Sequence, residues 1–247
     1  MKVALIDRRM PEVLQARLAA EFFICPLPPN THLDAPIQAH PDMLIFPYPD
    51  GILIDKLTAE QYPFVKGQMF FCGDRAFERS FVHRPDDKTG PIRYPNDCYL
   101  NFARCGEHLI GNFAKAPSEL LTLVRRYNWK MLSVRQGYAK CNCCIVSENA
   151  LITEDRGIAK VCQKAGIDVL LLQSHAVRLP GYDYGFIGGA SCDIYERNGS
   201  RQLLFLGCIE AHPEYQRIFD FCQTHDAMPI SLSKEPLTDW GSVYIVL

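Results

Sequence analysis

CNCCIVSENALITEDRGIAKVCQKAGIDVLLL, residues 141 to 172, carries the pattern on which the fold is read. Cys141 to Val146 predicts a strand, Ser147-Glu148-Asn149 a tight turn, and Ala150 to Thr153 the strand that returns from it. Glu154 to Ala165 has helical periodicity, and Asp168 to Leu172 is an apolar run of the length of a buried strand. The unit is an entry segment, a strand, a turn, a strand, a helix and a third strand.

The same order recurs along the chain. HPDMLIFPYPDGILID (40 to 55) gives two strands around Pro49-Asp50-Gly51, then a helix from about Thr58 and a strand at Met69 to Cys72. NDCYLNFARCGEHLIGNF (96 to 113) gives a second pair, followed by a helix over 118 to 128 and a strand over 129 to 134. GGASCDIYERNGSRQLLFLG (188 to 207) turns at Asn198-Gly199, a strong hairpin signal, before a helix in HPEYQRIFDFCQTHDA and a strand in MPISLS. GSVYIVL (241 to 247) is a strand with no helix after it, whereas the N-terminus supplies a strand (2 to 7), a helix (11 to 21) and a strand (22 to 27) with no hairpin before them. Joined in space, the two ends make a fifth unit.

Entry points near Asp42, Asp97, Cys141, Ser191 and Gly241 lie 44 to 55 residues apart, within the range of internal repeats. A closed ring of such units pairs the terminal strands and leaves no open sheet edge. The alternation of strands and helices is also what a doubly wound α/β sheet produces. Both architectures stand at this point, with the ring preferred.

The unit order and the entry motifs His40-Pro41-Asp42, Tyr94-Pro95-Asn96-Asp97, Gln136-Gly137-Tyr138, Gly185-Phe186-Ile187-Gly188-Gly189 and Asp239-Trp240-Gly241-Ser242 resemble the pentein, or guanidino-group-modifying-enzyme, fold. The resemblance covers nearly the whole chain as one domain, 1–247, and is nearest to a bacterial branch outside the named enzyme groups. It implies an α/β fold, a five-bladed α/β propeller of ββαβ units closed by its termini. It also implies a range of functions, because the superfamily holds deiminases, amidinotransferases, dimethylarginine hydrolases and a ribosome anti-association factor. The enzymes use a cysteine at the entry to the last inner strand. The matching stretch here, Leu237 to Ser242, has none, and Ser242 is the nearest nucleophile-like residue.

Composition bounds the setting. With 247 residues, 48% apolar and 22% charged, the chain can bury a core as one large domain. A net charge of −2 and the lack of a basic run argue against nucleic-acid binding, and no apolar run is long enough to span a bilayer. The N-terminus lacks the pattern of a secretory signal, and eleven scattered cysteines suit reduced thiols, so a cytoplasmic protein is expected. Arg79 to Pro95 reads as a long surface connection or a lid.

Cys141-Asn142-Cys143-Cys144 invites a metal reading, but on a strand only Cys141 and Cys143 share a face, and no second ligand pair occurs elsewhere. No metal or cofactor is therefore expected. Cys141, at a strand entry near the axis of the proposed ring, is a candidate nucleophile, with Lys140 beside it in sequence. His40 is a candidate acid or base, and His175 a second one. Asp42, Asn96, Asp97 and Asp239 stand at entries in different units, where a ring would gather them around one acidic cavity suited to a small guanidino or amine-like cation. Turn capping is the competing role for each. Gly188 and Gly189 lead into a strand and lack dinucleotide-loop spacing, so they permit close backbone approach, either for packing or for a ligand. Gln136, Tyr138 and Tyr182 are candidate walls. Two functions follow: a binder of a small cation, or a guanidino or amidine enzyme built on Cys141.

Overall fold

The computed structural model describes residues 2–61, 78–82, 91–192, 195–197 and 200–246. The chain opens with β1 (Val3–Asp7), α1 (Glu12–Ala19) and β2 (Phe23–Leu27). A helical turn α2 (Pro41–Leu44) leads to β3 (Ile45–Tyr48), β4 (Gly51–Asp55), α3 (Lys56–Gln61) and β5 (Glu78–Val82). Next come β6 (Ala103–Cys105), β7 (His108–Gly111), α4 (Ser118–Arg126) and β8 (Lys130–Ser133). A second helical turn, α5 (Ala139–Asn142), precedes β9 (Cys144–Ser147), β10 (Ala150–Thr153), α6 (Arg156–Lys164) and β11 (Asp168–Leu171). The last elements are β12 (Tyr195–Arg197), β13 (Ser200–Phe205), α7 (Tyr215–Thr224), β14 (Ala227–Ser231) and β15 (Tyr244–Val246).

These strands form five separate three-stranded sheets among the described residues, so a single doubly wound sheet is excluded there. In each, the middle strand pairs antiparallel with one neighbour and parallel with the other. Parallel neighbours need a crossover, which α1, α4, α6 and α7 supply in four of the sheets. The first sheet takes its antiparallel strand from the far end of the chain, with Val3 opposite Val246 and Leu5 opposite Tyr244.

Local chemistry explains the boundaries. Asp155 caps α6 by accepting from the Ile158 amide at 2.8 Å, and Gly166 ends it at φ +86. Ile158, Ala159 and Cys162 make the buried stripe of that helix. The middle strands β1, β4 and β10 are buried along their whole length, and alternate residues feed different cores. Ile52 and Ile54 join the apolar cluster shared with β1 and β2, whereas Leu53 joins the cluster shared with the segment ahead of β6, with β7 and with α4. Three further clusters lie between β6–β8 and β9–β10, between β9–β10 and β13, and between β13–β14 and β1–β2.

Several sequence expectations shift. Residues 139 to 142 form a helical turn, so the strand expected from Cys141 begins at Cys144, and the shared strand face of Cys141 and Cys143 does not exist. Asp42 likewise lies in a helical turn ahead of its strand. Part of the connection expected over Arg79 to Pro95 is strand β5, paired with β4. The strand expected at Met69 to Cys72, residues 83 to 90 of that connection, and the Asn198-Gly199 turn lie outside the described residues; Arg197 pairs with Ser200 across the latter.

Candidate functional site

The segments ahead of β3, β6, β9, β12 and β15 interlock. Asp42 donates its amide to the Gly241 carbonyl at 3.0 Å, and the Asp42 carbonyl accepts from Asn101 Nδ2 at 3.0 Å. Asn101 Oδ1 accepts from the amides of Lys140 and Cys141 at 2.7 and 3.3 Å. The Cys141 carbonyl accepts from the Gly189 amide at 2.9 Å, and the Gly189 carbonyl from the Ser242 amide at 2.8 Å. This circuit passes through an entry segment of each of the five sheets and returns to its start.

The glycines make the close approaches possible. A Cβ on Gly188 would collide with the backbone of Lys140 and Cys143, and one on Gly189 with the Asp239 carboxylate. Gly188 and Gly189 therefore pack against the chain's own atoms. Gly241 combines φ +69 with a Cβ position inside the His40 side chain.

Side chains fill the centre. Cys141 Sγ donates to Asp42 Oδ2 at 3.1 Å and accepts from Asn101 Nδ2 at 3.0 Å. Ser242 Oγ lies 3.4 Å from the same Asp42 oxygen and 2.8 Å from the Gly188 carbonyl, and accepts from Lys140 Nζ at 3.0 Å. Asp42 Oδ1 is buried and has no hydrogen-bond partner among the described residues. Asp239 is held by the amides of Phe186 and Gly241 at 3.0 and 2.9 Å. His40 stands between carboxylates, with Nδ1 3.8 Å from Asp239 and Nε2 3.8 Å from Asp7, too far for a hydrogen bond. Asp7 is also paired with Arg9 at 2.6 Å.

Burial sets the protonation states. Desolvation pushes Asp42 and Asp239 each up to about 6, against the partial relief from the Cys141 hydrogen bond and from His40 respectively. The same burial lowers His40 in spite of Asp239 and Asp7, which favours the neutral imidazole. Cys141 is pushed well above the usual thiol value, first by burial and then by the charge of Asp42. An anion beside a thiol opposes its ionisation, the reverse of an activated cysteine.

Asp42, Cys141, His40 and Asp239 are thus gathered at one centre, and Asp97 is joined to it less directly. Asp97 Oδ2 accepts from the Tyr138 hydroxyl at 2.7 Å, and the ring of Tyr138 packs against the cluster that contains Cys141. Asn96 is turned outward, accepting from Lys115 Nζ at 3.0 Å. Tyr182 donates to Asp34 at 3.1 Å and is exposed, as are Tyr94 and Tyr184. Tyr94 packs on Tyr138 with centroids 5.3 Å apart, and Tyr184 meets both His175 and Phe186, so aromatic rings surround this end. Gln136 Nε2 is 3.4 Å from Asp155, away from the centre's carboxylates.

Sequence reasoning missed Asn101, Asp7 and Glu154. Asn101 sits four residues after Asp97, just ahead of β6, and its position was the available signal. Glu154 accepts from the Ile187 amide at 3.2 Å, and burial raises it to about 7; His175 Nδ1 lies 3.8 Å from its other oxygen. A cavity of about 480 Å³ opens elsewhere, along the inner strands; Lys140 lines it, and Asp42, Asp97, Cys141 and Asp239 do not.

A family model described as "Family of unknown function (DUF6873)" matches residues 5–244. No curated protein matches the sequence. Among solved structures, the fold is similar to that of a cysteine-to-serine variant of DDAH from Pseudomonas aeruginosa complexed with citrulline. That match has a TM-score of 0.50 and 9% identity, over 94% of this chain and 92% of the other. An amidinotransferase of the saxitoxin pathway from Microseira wollei matches with a TM-score of 0.54 and 10% identity, over 94% and 88%. Agmatine deiminase from C. jejuni matches at 0.50 and 10%, over 94% and 87%. All three are pentein enzymes, and at these identities the likeness establishes the pentein-type α/β fold alone.

Proposed function

We propose that this chain, which belongs to the DUF6873 family, is a pentein whose entry end binds a small cation of guanidino or amine type without turning it over. On this reading the five sheets are the blades of a closed α/β propeller. The hydrogen-bond circuit through the five entry segments, the five apolar clusters between neighbouring sheets and the pairing of β1 with β15 support that reading.

The observation that carries the binding function is Asp42. A buried carboxylate oxygen with no donor among the described residues is costly, and a cationic N–H group is what would satisfy it. Asp239 adds a second carboxylate near it, and the tyrosines at this end suit a cation by their ring faces. The solved relatives with citrulline or agmatine in their descriptions give the ligand class by analogy. Among the described residues no group of His, Cys, Asp and Glu is arranged to hold a metal ion, and the reading calls on no cofactor.

The alternative is a guanidino or amidine hydrolase or amidinotransferase, with Cys141 as nucleophile and His40 as acid or base. One observation favours it: the Cys141 thiol donates to a carboxylate that could take its proton. Against it, burial and Asp42 raise that thiol, and His40 faces Asp7 and Asp239. The cytoplasm is the proposed location, supported by buried free thiols at Cys98, Cys105, Cys141, Cys143, Cys162 and Cys222. No helix among the described residues is long and apolar enough to cross a membrane.

Calorimetric titration of agmatine, arginine and methylated arginines into the purified chain tests the proposal. Saturable binding of one of them, weakened about tenfold or more by Asp42→Asn, is expected. Failure of all of them to bind, or release of ammonia or urea that Cys141→Ser abolishes, overturns it.

A further inference from the structure

The entry centre already holds a cation of its own. Lys140 lies in the helical turn α5 and is only 4% exposed. Its Nζ donates to Ser242 Oγ at 3.0 Å, and the same oxygen lies 3.4 Å from Asp42 Oδ2. The ammonium thus stands one hydroxyl away from the carboxylate on which the binding reading rests, and its charge favours the ionised form of Asp42. Ser242 holds this place at φ +66, a conformation uncommon for a residue other than glycine.

Asp7 is answered by Arg9, and burial favours the neutral form of His40, so the balance around Asp42 is set by Asp42, Asp239 and Lys140. A ligand cation arriving at Asp42 with the ammonium in place meets like charge in a buried setting, where the repulsion is far stronger than in water. The lysine has a second place to rest. The cavity of about 480 Å³ along the inner strands has both Lys140 and Tyr244 in its wall, and Lys140 Nζ is 5.5 Å from the centre of the Tyr244 ring. A flexible four-carbon stem lets the ammonium leave Ser242 for that cavity while a ring face still answers its charge.

We propose that Lys140 is a tethered cation that fills the entry centre in the absence of ligand, competes with the ligand for Asp42, and withdraws into the cavity against Tyr244 when the ligand binds. The contact is autoinhibitory. It rests on the reading of the entry end as a cation site and adds to it a built-in competitor. The opposing role, an ammonium that serves only to keep Asp42 ionised, predicts weaker ligand binding once the lysine is lost; a competitor predicts tighter binding.

Agmatine titrated by calorimetry into the full chain separates the two. The pH is set at 8.5, well above the value of about 6 for Asp42, so that the carboxylate stays ionised without the lysine. Lys140→Met, which keeps the length of the stem and removes its charge, is expected to bind agmatine about tenfold or more tighter than the unaltered protein. Ser242→Gly suits φ +66 and takes away the anchoring hydroxyl, and is expected to tighten binding about threefold. Tyr244→Leu, which removes the ring that receives the withdrawn ammonium, is expected to weaken it about threefold. Unchanged or weaker binding by folded Lys140→Met overturns the inference. If that variant does not fold, affinities of Ser242→Gly and Tyr244→Leu that fail to move in opposite directions overturn it. Saturable binding by the unaltered protein with no gain in these variants fails the inference alone, whereas no binding by any of these proteins fails the cation-site reading and the inference with it.

Discussion

Asp55 and Asp42 are both buried aspartates in the same part of the chain, and the structure treats them in opposite ways. Asp55 Oδ2 accepts from Asn30 Nδ2 at 2.8 Å, from the Thr58 amide at 3.0 Å and from the Thr58 hydroxyl at 2.9 Å; Oδ1 accepts from Tyr99 at 2.6 Å. Every donor comes from the protein, and the group ties the start of α3 to segments on either side. Asp42 has a thiol and a serine hydroxyl on one oxygen and no partner among the described residues on the other. A carboxylate that is fully answered by its own chain is part of the scaffold. One that is left short, at a convergence of entry segments, is held ready for something else.

The comparison makes its largest claim about stability. Asp55→Ala strands four donors in the interior and is expected to cost about 3 kcal/mol or more, read as a lowered denaturation midpoint. Asp42→Asn removes a charge whose burial is unfavourable near neutral pH, so it is expected to leave stability unchanged or raise it by about 1 kcal/mol. Equal losses from the two changes would erase the distinction between scaffold and site.

The next effect is on ligand. If agmatine binds through ionised Asp42 and Asp239, both raised to about 6, its affinity should fall about tenfold for each carboxylate that must be ionised, about a hundredfold for the two, from neutral pH to one unit below that value. A flat affinity across that range would remove these carboxylates from the binding account.

Stability in the absence of ligand should move the other way. The folded state holds protons on Asp42 and Asp239 that the unfolded chain releases above 3.8, so their contribution is full below that value and is lost as pH rises through about 6. His40, lowered from 6.5, opposes this: its contribution is lost as pH falls through its depressed value. Denaturation midpoints across this range in Asp42→Asn should show a smaller fall than in the unaltered protein.

The smallest expected effect concerns Cys141. With its thiol buried and raised, alkylation followed by mass spectrometry should label half-buried Cys208 well before it. Cys141→Ser should change little beyond packing. Preferential labelling of Cys141 would shift the balance to the enzyme reading.

The units were legible in the sequence wherever an apolar run met a turn of fixed chemistry. Ala150 to Thr153 matches β10, and Pro49-Asp50 lies between β3 and β4, which Gly51 opens. The entry segments were misread because a four-residue helical turn is too short to carry periodicity, so Cys141 was placed on the strand that follows it and the turn around Asp42 was not expected. Asp42, Asp97, Cys141 and Asp239 were identifiable by position in the unit, and three of them meet at the centre. Asn101 carried the same positional signal and was passed over, whereas Asp7 carried none, since its importance lies in a partner far away in sequence. Lys140 shows the limit in another way: its side chain diverges from that of Cys141, as neighbours in a chain do, and reaches Ser242 instead.

The account rests on Asp42 being short of a donor, and a crystal structure of the protein grown with agmatine tests that most directly. The expected result is an intact agmatine at the entry end, with a guanidinium or ammonium nitrogen within hydrogen-bond distance of Asp42 Oδ1 and Cys141 unmodified. An agmatine-derived group covalently attached to Cys141, or agmatine bound elsewhere with Asp42 Oδ1 still lacking a donor, would contradict it.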